Sequence, residues 1–114
     1  MKDVTVFIAD GKVDKNGYSH DIDGVEFPES VPVTLGFADS TPVGRATLKK
    51  SGTSIVADIE LFNPIDAEVL KRLYPAVGGV VLSKSEKVLA KCRITTLSIS
   101  VDQNVDDRIE KLKP

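Results

Sequence analysis

The sequence predicts one mainly β domain over residues 1–114: a barrel of about six or seven strands, closed or partly open, with one main helix and a short C-terminal helix. Three observations predict it. Apolar and polar residues alternate with period two in several short segments. Turns rich in Gly and Pro separate those segments at short intervals, which favours a barrel over a doubly wound sheet. Only one stretch, Asn63 to Leu73, carries the apolar spacing of a firm helix. A chain of 114 residues has ordinary domain size and buries roughly two-thirds of its unfolded surface, enough for a core without staples.

Lys2 to Ala9 opens the chain as a strand, with Val4, Val6 and Ile8 on one face. A loop dense in Asp, Gly and Asn follows, and Asn16-Gly17 is a turn dipeptide because both residues tolerate positive φ. Pro28 and Pro32 bracket the entry to an extended segment, Val33–Phe37. Thr41-Pro42 turns the chain into a strand over Val43–Lys49, and Ser51-Gly52 turns it again. Ser54–Leu61 is the clearest half-buried strand: Ile55, Ala57, Ile59 and Leu61 alternate with Ser54, Asp58 and Glu60.

Asn63-Pro64 has the cap and first position of a helix, and Asp66 and Glu68 suit its positive end. Ile65, Val69, Leu70 and Leu73 form its apolar stripe, and Pro75 stops it. A hairpin turning near Lys84–Lys87 comes next. Its second strand changes phase, from Val88, Ala90, Cys92 and Ile94 to Leu97, Ile99 and Val101, so a bulge or corner belongs near Thr95-Thr96. Asn104 caps the expected short helix Val105–Lys111.

Composition narrows the function. A net charge of −2 with interspersed signs, two Tyr, four Phe and no Trp argue against a phosphate-binding or base-stacking surface. Lys49-Lys50 reads as a solvated hairpin turn. The expectation is no nucleic-acid partner. No apolar run approaches a membrane span, and the opening residues are too charged for a secretory signal, so a cytosolic or particle-associated protein is expected. A single Cys, Cys92, allows no internal disulfide and reads as a small core residue. One His and one Cys make a zinc site improbable. Asp10, Asp14, Asp21, Asp23 and Glu26 lack the spacing of a calcium loop. No cofactor and no metal are expected.

The order of motifs carries a resemblance. Gly11-Lys12-Val13-Asp14-Lys15-Asn16-Gly17 is followed by VPVTLGFADSTPVGR from Val31 to Arg45. Then come Ile55-Val56-Ala57-Asp58-Ile59-Glu60-Leu61, a helix, and Thr96-Leu97-Ser98-Ile99-Ser100-Val101 with Gln103-Asn104-Val105-Asp106 behind it. In this order they resemble the tailed-phage prohead maturation proteases, relatives of the herpesvirus assemblins, along nearly the whole chain. The resemblance implies a prohead-protease-like barrel. In that family a histidine follows the VPV strand and acts as general base toward a serine on a later strand. Here Phe37 aligns with the histidine, and the serine's place falls on or near Gly79 in Gly78-Gly79-Val80-Val81. A hydrocarbon ring cannot take a hydroxyl proton, so no catalytic residue is expected at either position.

The implied function is that of a pseudoenzyme: a non-catalytic phage or prophage structural or assembly protein, located in the virion or the host cytoplasm. Its partner would be phage capsid protein or a further copy of itself, bound through the former cleft at Phe37, Gly78, Gly79, Val80 and Val81. The alternative is a divergent serine peptidase of prohead maturation using His20, which sits in the polar loop Ser19-His20-Asp21 and reads as a surface histidine.

Overall fold

A computed structural model describes residues 1–37 and 41–114; Ala38, Asp39 and Ser40 of the VPVTLGFADSTPVGR motif lie outside the described residues. Strand accounts for 54% and helix for 6%, so the protein is mainly β. In chain order the elements are β1 (Val4–Ile8), β2 (Ser19–His20), a 3-10 turn (Ile22–Gly24), β3 (Val25–Glu26) and β4 (Ser30–Leu35). β5 (Pro42–Ser51), β6 (Ser54–Leu61), α1 (Ala67–Leu70), β7 (Tyr74–Ser85) and β8 (Val88–Ser100) follow.

All described strands belong to one sheet, built on the antiparallel path β1-β6-β5-β4, which β8 then joins parallel to β4. β8 organises the rest: β7 runs antiparallel along it, and β2, β3 and β4 pair parallel to it in turn. The sheet curls strongly into an open half-barrel and is not a closed barrel. No described ladder joins β1 to β7, so the curled sheet ends in a seam between them. The core lies inside the curl. Val6, Val31, Val33, Ala46, Ile55, Ile59, Leu97 and Ile99 are buried there, each from the inward phase of its strand. Gly44 is needed where β5 crosses β6, because a methyl group there would collide with the Glu60 carbonyl.

The phase change in β8 has its expected cause. Gly78 pairs with Thr96 but Gly79 pairs with Ile94, leaving Thr95 as the extra residue of a bulge. Both expected helices are corrected. The main helix shrinks to α1, and its cap is Asp66, whose carboxylate accepts from the Glu68 amide at 2.8 Å, not Asn63. Leu70 and Leu73 are buried, whereas Val69 is 47% exposed, because a single turn has no continuous stripe.

The segment Val105–Lys111 is not a helix. Side chains take over the backbone donors instead: Asn104 Oδ1 accepts from the Asp106 amide at 2.9 Å, and Asp106 Oδ1 accepts from the Arg108 amide at 3.0 Å. This shape lets residues 101–114 strap the seam. Asn104 Nδ2 donates to the Pro75 carbonyl at 2.9 Å, the Leu112 amide donates to the Leu73 carbonyl at 2.9 Å, and the Lys15 amide donates to the Val105 carbonyl at 3.0 Å. Ile109 and Leu112 of the strap are buried.

Candidate functional site

The seam holds a cleft of about 190 Å³ between β1, β7 and the C-terminal strap. Phe7 and Ile8 form one wall, Ala76 and Val77 the opposite one, and Asn104, Val105 and Ile109 the strap side. A second depression of about 130 Å³ adjoins it, lined by Val77 to Val81 and by Cys92 and Ile94. Phe7, His20 and Val77 border both.

Phe37 follows β4 at the cleft and is 57% exposed. Its ring rests over the bare backbone of Gly78: a methyl group there would stand 2.7 Å from Phe37 Cε1 and 2.9 Å from Thr96 Cγ2. Gly79 faces the other way in packing terms, since a methyl group there would collide with the Arg93 carbonyl. The five residues singled out from the sequence therefore divide. Phe37 lines the cleft and Gly78, Gly79, Val80 and Val81 line the second depression, where Val80 and Val81 are about half-exposed; Gly78 joins the two groups through its contact with Phe37.

His20 is not the surface-loop residue its neighbours suggested. It lies in β2, paired with Leu89, and is half-buried with its ring edge-on to Phe7 at 4.8 Å between centroids. Burial lowers its pKa below the usual 6.5, with the Asp14 carboxylate pulling the other way. Among the described residues no serine hydroxyl hydrogen-bonds the ring. Cys92 is partly buried, and burial, followed by the Glu26 carboxylate, raises its pKa. The neutral thiol is thus favoured, the weak form of a nucleophile.

The acidic residues of the first long loop are used one by one. Asp14 accepts from the Asn16 and Tyr18 amides, Asp21 accepts from the Asp23 amide, and Glu26 pairs with Arg93 at 2.8 Å. Asp10 faces Arg108 at 2.6 Å, which also binds Asp106 at 2.8 Å. The guanidinium holds Asp10 down to about 2, lowers Asp106 and raises Arg108 in turn. Among the described residues no group of three or more His, Cys, Asp or Glu side chains is placed to hold a metal ion.

Sequence reasoning missed Phe7, Tyr18 and the strap as parts of the site. The one available signal was the pair Ile109 and Leu112, apolar positions in an otherwise charged tail. No described helix is long and apolar enough to cross a membrane. Compared with protein-family models, with curated proteins and with solved structures, the chain gives no match.

Proposed function

We propose that this chain is a non-catalytic structural or assembly protein of a tailed phage or prophage, working in the virion or the host cytoplasm. It binds capsid protein or a further copy of itself, as an accessory, decoration or scaffold-associated subunit on a degenerate prohead-protease-like barrel. The observation that carries the binding role is the apolar surface left beside the seam. Phe37, Val80, Val81, Leu82 and Val88 are all substantially exposed, and among the described residues β7 has a sheet neighbour on one side only. Unpaired strand edges and clustered exposed apolar residues are where another chain adds on, by backbone pairing or side-chain burial.

Contact between Phe37 and the Gly78 backbone supports the pseudoenzyme reading. The resemblance assigns the base to Phe37 and the nucleophile to Gly79 or its neighbourhood; Phe37 touches Gly78, one residue before, and none of the three carries that chemistry. The choice of capsid protein as partner rests on the motif order alone.

The test replaces Phe37 or Val81 by Asp, checks folding by circular dichroism, and measures sedimentation and binding to a tailed-phage major capsid protein. Both variants should fold and lose association. Folded variants that keep every association of the parent chain overturn the reading.

A further inference from the structure

The seam cleft gathers most of the aromatic rings of a chain that has few. Phe7, Tyr18, His20 and Phe37 line it, four of the seven aromatic rings when the single His is counted. The charged residues lining it are Asp14, Asp102, Asp106 and Lys12, with Lys84 and Lys87 held against the Tyr18 ring. Asp106 is neutralised by Arg108, but Asp14 and Asp102 have no cationic partner among the described residues. Ring faces carry negative electrostatic potential, so rings and carboxylates together favour a positive guest.

One of these rings already attracts ammonium groups within the molecule. The Lys84 and Lys87 Nζ atoms lie 4.9 and 4.7 Å from the centroid of Tyr18. Phe7 and Phe37 have no such cation among the described residues. The cleft's volume, about 190 Å³, is below the usual range for drug-sized ligands, roughly 300–1,000 Å³, and suits one compact head group.

We propose that the seam cleft binds a small organic cation, an alkylammonium group seated against Phe7 and Phe37 with Asp14 and Asp102 at its rim. This goes beyond the partner reading above and does not depend on it. An anion would meet the carboxylates. An uncharged guest of the same shape would gain only the apolar walls.

The test titrates the full chain with choline, with its uncharged isostere 3,3-dimethylbutan-1-ol, and with 3,3-dimethylbutanoate, following the ring resonances of Phe7, His20 and Phe37 by NMR. Choline should bind about fivefold or more tighter than the alcohol, the scale of a cation–ring contact with partial desolvation, and the carboxylate weakest. Asp102→Asn should weaken choline while leaving the alcohol unchanged, and Lys12→Ala should tighten choline. Phe37→Leu, which keeps an apolar wall, should narrow the gap between choline and alcohol. Asp102, Lys12 and Phe37 are all exposed, so these variants keep the core intact. The proposal is overturned if choline leaves the rings unperturbed, or if the alcohol binds as tightly as choline.

Discussion

β6 and the outer half of the β7–β8 ribbon are built from the same kinds of residue and end in opposite environments. Ile55, Ala57 and Ile59 of β6 are at most 3% exposed, whereas Val81 in β7 is 52% exposed. The difference lies in neighbours. β6 is flanked by β1 and β5 and faces the inside of the curl; β7 has β8 on one side and, among the described residues, nothing paired on the other. Apolarity decides what a position can bury, and sheet order decides whether it does. The ribbon therefore keeps apolar surface that a core strand would have spent on stability.

The largest expected effect lies in β6. Ile59→Ala removes a side chain enclosed in the core and should cost about 2–5 kcal/mol, read from a denaturant titration. An unchanged midpoint would show that β6 does not face the core, and the comparison would collapse.

Next come the two glycines where the ribbon leaves the half-barrel. Gly79→Ala drives a methyl group into the Arg93 carbonyl, and backbone cannot step aside, so a loss toward the top of about 1–3 kcal/mol is expected. Gly78→Ala meets the exposed ring of Phe37 and the Thr96 methyl, both side-chain atoms, and should cost less. Adding Phe37→Ala should recover part of the Gly78→Ala loss but none of the Gly79→Ala loss. Equal costs at the two positions, or equal rescue, would mean that Phe37 does not rest on Gly78.

How much of this was legible in sequence follows from the same contrast. The strand over Ser54–Leu61 was readable to the residue, because a strand with one face in the core writes period two into its side chains. The Thr95 bulge was readable for the same reason, as a break in that period. The helix was overread: Asn63-Pro64 and the stripe to Leu73 are local signals, but the helix spans only Ala67–Leu70, and the Leu73 carbonyl is bonded by the strap's Leu112 amide. The strap was invisible. Its structure comes from Asn104, Asp106 and Arg108 reaching residues far away in sequence, and no local periodicity encodes such contacts. Of the candidate site, Phe37 and Gly78 were singled out in the sequence but their contact was not, and Phe7, Tyr18 and His20 reach the cleft only through the fold.

The strap supplies a pH-dependent prediction. Asp10 is held down to about 2 by the Arg108 guanidinium, against an ordinary value of 3.8. A depressed carboxylate contributes stability that is fully present above its unfolded pKa and lost as pH falls through the folded one. Stability should therefore drop between pH 3.8 and about 2, and Asp10→Asn should flatten that part of the profile. The loss concerns the seam and not β6, so hydrogen exchange should show residues 101–114 opening first. Uniform opening, or an acid profile indifferent to Asp10→Asn, would separate the strap from this ion pair.

The smallest expected effect is in the ribbon, and it tests the comparison most sharply. Val81 pairs across the ladder with Cys92, itself only partly buried, and has no sheet neighbour on its outer side among the described residues. Val81→Ala removes methyl groups that already meet solvent, so the isolated chain should lose no more than about 0.5 kcal/mol. The same substitution removes apolar area from the surface assigned to association. If the ribbon is an interface, Val81→Ala should weaken association while barely moving the unfolding of dilute monomer. If dilute monomer loses as much stability as it does with Ile59→Ala, then Val81 is enclosed within one chain, and the exposed-ribbon half of the comparison is wrong. If the loss grows with protein concentration, the ribbon is covered by a second copy, because binding to the folded state adds stability by mass action.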